Sequence, residues 1–191
     1  LHGGAQNAHT WDTVVMALGR PVVCIDLPGH GHSDGPRTGS GVLHENAADV
    51  ATAVRTLAPD ALAVVGMSLG GMTTMALAAH APDLVRRMVL VDVTPGVNAK
   101  KAEQIIAFVN GPESFDSFDD LLARTIEFNP TRTVASLRRG ILHNALQRED
   151  GSWVWRYARH RAEERAEERA AEAAETPEGA IPRVPDAAGL W

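Results

Sequence analysis

The sequence predicts an α/β fold: an incomplete parallel sheet flanked by helices, followed by a helical insertion. Three observations lead there. Runs with the character of strands, Pro21–Leu27, Ala61–Val65 and Arg87–Asp92, alternate with stretches of helical apolar spacing. The first two are apolar almost throughout, as strands covered on both faces are. One strand-to-helix junction carries a serine framed by glycines, Gly66-Met67-Ser68-Leu69-Gly70.

In chain order, residues 2–9 read as a loop. Thr10 can cap a helix over Trp11–Leu18, which Gly19 stops. Pro21–Leu27 is a strand and residues 28–41 a turn-rich loop. His44–Leu57 is a helix whose Ala47, Val50, Ala51, Val54 and Leu57 form one apolar stripe; Pro59-Asp60 breaks it. Ala61–Val65 is the strand entering the serine turn. The helix leaving that turn runs to about Ala81 and ends at Pro82. Arg87–Asp92 is a further strand. After Pro95-Gly96 only helices are predicted up to Gln147: Ala102–Val109, Phe118–Phe128 and Thr133–Gln147, punctuated by Asn110-Gly111-Pro112 and Asn129-Pro130. Trp153–Tyr157 is a brief extended segment. Arg161–Glu175 holds only Ala, Glu and Arg, a solvated helix with little apolar face, and Thr176–Pro185 is a Pro-rich loop. No internal repeat is present. Residues 1–97 are expected to form the sheet-bearing core and 98–191 the helical region.

Length and composition bound the rest. The 191 residues suffice for one sizeable core, and 45% hydrophobic with 22% charged residues is an ordinary globular balance rather than a disordered one. A net charge of −6 argues against nucleic acid as a partner. The lone Cys24 excludes an internal disulfide. No run is apolar and long enough to span a membrane, and no secretory signal opens the chain, so the cytoplasm is the expected compartment. The chain opens on Leu1, directly before His2-Gly3-Gly4, and closes on the apolar pair Leu190-Trp191. Both ends read as cut.

Serine is a poor nucleophile until a base takes its proton and donors stabilise the oxyanion it creates. Gly66-Met67-Ser68-Leu69-Gly70 fits the turn that lifts a serine hydroxyl above a sheet, with glycines where strand and helix pass closely. His2-Gly3-Gly4 can aim a backbone N–H at the same spot as the N–H of Leu69, and the helix after Ser68 adds its positive end. Asp26, Ser68 and Asp92 each follow a strand, on the sheet rim where sites in such folds lie.

His2-Gly3-Gly4 with Trp11, then Asp26-Leu27-Pro28-Gly29-His30-Gly31-His32-Ser33-Asp34, then Gly66-Met67-Ser68-Leu69-Gly70-Gly71, then Leu90-Val91-Asp92, resemble the α/β-hydrolase superfamily in order and spacing. The resemblance covers residues 1–96, and the helices after it sit where that family inserts a cap over its site. It implies Ser68 as nucleophile, oxyanion-hole amides from Gly4 and Leu69 with Gly3 giving room, and a bracing role for residues 29–34, including His30 and His32. The competing dinucleotide fingerprint at Gly29–Asp34 lacks its last glycine and its helix. No metal or organic cofactor is implied.

The chain departs from the family after the cap. The superfamily places an Asp or Glu and then a His downstream of the serine. Here the later histidines are His80, at a helix end and structural; His143, in a cap helix; and His160, beside the charged helix. Neither of the last two is expected at the site, so no base is assigned. Asp92 is a candidate acid, since a minority of the family places its acid after that strand. In the family the strand before His-Gly-Gly lies between those corresponding to Pro21–Leu27 and Ala61–Val65. Only Leu1 of it stands here. Either those strands pair directly or a gap stays open, leaving a marginal chain with sticky sheet edges. The expected activity is hydrolysis of an ester or other carbonyl compound, a small-molecule substrate. The alternatives are a non-catalytic remnant that binds small molecules or a partner, and an inactive fragment. Ser68 excludes a nucleophilic aspartate.

Overall fold

The computed structural model describes residues 1–35, 42–93, 107–109 and 111–157. Outside the described residues lie the expected 97/98 boundary, most of the helix placed at Ala102–Val109, the charged helix and His160, and the Pro-rich loop.

The core half contains α1 (Asp12–Leu18), α2 (Val42–Leu57), β1 (Val64–Met67), α3 (Leu69–His80) and β2 (Met88–Val91). β1 and β2 pair in parallel, with Val64 opposite Met88 and Met67 opposite Val91. Leu27, Ala47, Val50, Ala51, Val54, Val64, Leu77, Ala81 and Leu84 form its buried cluster. The predicted apolar stripe of α2 is thus the face it buries, apart from Leu57, which is exposed. Gly19 stops α1 in the left-handed conformation (φ 62°), as predicted. The predicted cap is corrected: a 3₁₀ turn, Ala8–Trp11, precedes α1, and Asn7 caps it by accepting the His9 N–H.

Pro21–Leu27 has the sequence of a strand but forms no ladder with any described strand. The residue that meets β1 on that side is Leu1. Its amino group bonds to the Val65 carbonyl, and its carbonyl accepts the Met67 N–H at 3.1 Å. One residue cannot carry a ladder between two strands. Val22 and Val23 are 43% and 44% exposed. Of the two expected arrangements, the open gap is the one found.

The second half is not purely helical, which corrects the sequence reading. It holds α4 (Phe118–Phe128) and α5 (Val134–Asn144), capped by Ser117 and Thr133. It also holds a small antiparallel sheet of β3 (Ser114–Phe115), β4 (Ala145–Gln147) and β5 (Trp153–Trp155), in the order β3-β5-β4. The predicted helix to Gln147 ends three residues early because Ala145–Gln147 finds ladder partners in the β-prone Trp153-Val154-Trp155. Phe115, Leu121, Leu122, Leu137, Ile141 and Ala145 form a separate buried cluster.

His2 is fully buried and fixes the turn that follows it. Its Nε2 accepts the Leu27 N–H at 2.9 Å, so the ring proton sits on Nδ1, which donates to the Gly3 carbonyl at 2.8 Å. With that carbonyl held toward His2, the trans Gly3–Gly4 peptide turns its N–H the opposite way. Burial, opposed by the Gly3 bond, pushes the His2 pKa down from 6.5 to about 4.

Two outcomes follow. A folded pKa below the unfolded value means that the unfolded chain takes up the extra proton. Stability then falls as pH drops from about 6.5 to about 4, by ~3 kcal/mol in all. Denaturant melts across that window should show the slope, and His2→Gln should flatten it. Separately, Met88 and Val89 are 41% and 49% exposed on the outer strand. Self-association by light scattering is expected at micromolar concentration, and Val89→Lys should reduce it.

Candidate functional site

Ser68 sits between β1 and α3 with φ 49° and ψ −114°, a conformation that side chains other than glycine rarely adopt. Such a residue costs about 1–3 kcal/mol and persists only where its surroundings over-determine it. They do so here. The Ser68 N–H donates to the Val91 carbonyl at 2.9 Å, and its own carbonyl accepts the Met72 N–H at 3.0 Å, one bond to the neighbouring strand β2 and one into α3. A Cβ on Gly66 would stand 2.3 Å from the Gly70 carbonyl oxygen, and one on Gly70 would stand 2.5 Å from the carbonyls of Leu1 and His2. Strand, helix and the first residues of the chain are in backbone contact, so only glycine fits at both positions.

The Gly3–Gly4 turn lies directly against the bend. A Cβ on Gly3 would lie 3.5 Å from the Ser68 Cβ, and one on Gly4 3.9 Å from the Leu69 Cβ. The Gly3 N–H is already taken by Gln6 Oε1 at 3.2 Å. Leu69 opens α3, so its N–H has no acceptor within the helix. Its side chain packs against the core cluster.

A cavity of about 390 Å³ opens in front of Ser68. Core residues Gly3, Gly4, Met67 and Asp92 line one side of it, and Phe108, Phe128, Leu137, Ile141 and Trp155 line the other. Asp92 ends β2 with φ 54° and shares the cavity with Ser68. His143, not expected at the site from sequence, also lines the cavity, because α5 turns that side back toward residues 7–9. His80 is the last residue of α3 and exposed, away from the lining.

The segment after Pro21–Leu27 braces the site rather than entering it. Asp26 Oδ1 accepts the Ala8 N–H at 2.7 Å and Oδ2 the His32 N–H at 2.9 Å. Burial opposes the Asp26 charge, but the His32 and Ala8 N–H groups outweigh it and hold the carboxyl below its ordinary range. Gly31 is left-handed (φ 56°), and a Cβ there would fall 2.2 Å from Asp26 Oδ2. His30 Nε2 accepts the Ala5 N–H at 3.3 Å. Residues 28–35 contain no helix, as the dinucleotide reading would require.

Sequence reasoning missed Asn7, His9, Arg139 and Asn144, all of which line the cavity. Asn7 Nδ2 donates to the His143 carbonyl at 2.8 Å, and Asn144 Nδ2 donates to the Ala5 carbonyl at 2.7 Å, latching residues 5–7 to the end of α5. These pairs are about 137 residues apart in the chain and leave no local pattern.

Residues 1–174 match the α/β-hydrolase fold family. Esterase Rv0045c of Mycobacterium tuberculosis is 50% identical over 163 residues, which are 82% of this chain and 55% of that protein. A solved structure of that esterase, described with its transition-metal inhibition, superposes with a TM-score of 0.74 at 50% identity, covering 84% of this chain and 58% of that one. The 2-(acetamidomethylene)succinate hydrolase of Mesorhizobium japonicum is 34% identical over 125 residues, 64% of this chain and 44% of that protein. The chain thus spans about half the length of these relatives. By the family match and the common architecture, it belongs to the α/β-hydrolase fold family.

Proposed function

We propose that the chain carries the nucleophile half of an esterase-type site. The observation that supports this most is the strained Ser68 bend, set against the Gly3–Gly4 turn and opening on a cavity roofed by the cap. In this reading Ser68 Oγ attacks the substrate carbonyl carbon. The carbonyl oxygen becomes an oxyanion that accepts from the N–H groups of Gly4 and Leu69. Neither N–H donates a hydrogen bond among the described residues. The alcohol leaves with a proton, and water releases the acid from the acyl serine. Fixing the Gly3 carbonyl on His2 leaves Gly4 rather than Gly3 as the donor from that turn. Gly3 supplies the room beside Ser68.

Asp92 is the proposed acid, on the same rim, and the base is not assigned. The aromatic and aliphatic cap wall, with Arg132, Arg139 and Asn129 among its polar members, suits a small ester with an apolar acyl or alkyl part. The esterase activity named for the M. tuberculosis relative supports the substrate class, and the susceptibility to transition metals described for it is included in the proposal. We also propose the division into a core of residues 1–97 and a cap of 98–191.

A second reading, a binder of small molecules without turnover, is favoured by one observation: no imidazole hydrogen-bonds Ser68 among the described residues. A serine-reactive fluorophosphonate probe separates the two. Labelling of the folded chain that vanishes in Ser68→Ala supports the nucleophile; no labelling favours the binder. With no base assigned, hydrolysis of a p-nitrophenyl ester should stay within about 10³–10⁴-fold of the uncatalysed rate and fall to background in Ser68→Ala.

A further inference from the structure

We propose that His9, Asp12 and His143 form a binding site for one divalent transition-metal ion of the zinc class, at the rim of the cavity and between core and cap. The three side chains come from separate elements. His9 lies on the 3₁₀ turn, Asp12 opens α1 and His143 lies in the last turn of α5. One donor atom from each lies within 4.8 Å of the other two. His9 Nδ1 is 3.2 Å from Asp12 Oδ2, close to the ~3.3 Å that separates two ligands around a tetrahedral zinc with bonds of about 2.0–2.1 Å. The His9 and His143 rings stack at 4.0 Å with 20° between their planes, so their donor atoms are near neighbours, and one ring has to turn about its side-chain torsions to bring both lone pairs onto one ion. Two imidazoles and one carboxylate are a donor set that zinc-class ions take, leaving a fourth position open to water.

The surroundings allow the site to load. Asp12 Oδ2 also faces Arg139 Nη1 at 3.4 Å, an ion pair whose side chains are 33% and 43% exposed. An ion would replace that guanidinium as the partner of Asp12. Asn7 fixes the backbone from which both rings project: its Oδ1 accepts the His9 N–H and its Nδ2 donates to the His143 carbonyl. An ion at this point ties α1 to α5 and ligates two side chains that line the cavity in front of Ser68. It would hold the cap against the core and obstruct entry. That consequence rests on the hydrolase reading; the binding itself does not.

The test is a calorimetric titration of the chelator-treated chain with zinc chloride. One equivalent should bind to the wild type, and His9→Gln and His143→Gln should each weaken binding about tenfold or more. His44→Gln, on an exposed α2 position, should bind as the wild type does. Zinc should also raise the melting temperature of the wild type and not of the two site variants, whose metal-free melts verify folding. No single-site binding in the wild type, or equal affinity in folded His9→Gln and His143→Gln, overturns the site. Parallel ester hydrolysis reads the hydrolase proposal alone: zinc bound by a chain without activity leaves the metal site standing and removes its inhibitory consequence.

Discussion

Three backbones meet at Gly66 and Gly70, and the arrangement of the site follows from that contact. The carbonyls of Leu1 and His2 press on α3 where Gly70 lies, and the Gly70 carbonyl presses on β1 where Gly66 lies. No side chain separates these segments, so the loop, strand and helix cannot shift independently. The bend at Ser68 is the residue at which the chain passes from one to another. Its unfavourable dihedrals are imposed by neighbours on both sides, through the Val91 carbonyl below and the Met72 amide above. His2 extends the same constraint outward. By bonding Leu27 through one ring nitrogen and Gly3 through the other, it ties the next layer to the orientation of a single peptide.

The cavity depends on a weaker set of forces. The two apolar clusters, one under β1 and one within the cap, share no member. Between them run polar contacts: Asn7 with His143 and Asn144, Asn144 with Ala5, Arg139 with Asp12, and the stacked rings of His9 and His143. Each hydrogen bond of this kind contributes about 1 kcal/mol net, and an exposed ion pair less. Opening the cap should therefore cost less than unfolding either cluster. In the proposed hydrolase reading, that division would serve substrate entry and product release, with a rigid bend on one side and a second half fastened by replaceable bonds on the other.

What the sequence disclosed follows from which interactions are local. The left-handed stop at Gly19, the buried stripe of α2, the limits of α4 and the serine turn are all set by residues within a few positions of one another, and periodicity or spacing reveals them. The cap sheet was missed because Ala145–Gln147 continues a helical pattern and becomes a strand only through the distant ladder to Trp153–Trp155. Pro21–Leu27 fails for the converse reason. Its residues favour a strand, but a strand exists by pairing, and among the described residues only Leu1 bonds to β1 on that side. At the site, Gly3, Gly4, Ser68 and Asp92 could be named from their place in motifs. The Asn7–Asn144 latch could not, because asparagine is common in loops and only tertiary packing shows what it holds.

The position of Asp92 bears on how the charge at the site is arranged. Like Ser68 it is a non-glycine residue at positive φ, and each stands directly after a paired strand on the same edge of the sheet. Parallel pairing sets Met67 opposite Val91, so the next residues, Ser68 and Asp92, leave the sheet side by side and enter one cavity. A carboxylate delivered there by strand register needs no loop to place it. In the proposed reading it would orient an imidazole brought to the serine and would not serve as an oxyanion donor, because an ionised carboxylate only accepts hydrogen bonds. The N–H groups of Gly4 and Leu69 are the donors proposed to supply what it lacks. In the proposed reading, that pairing of an acceptor with backbone donors would match acyl transfer, in which a proton departs toward the base as negative charge builds on the carbonyl oxygen.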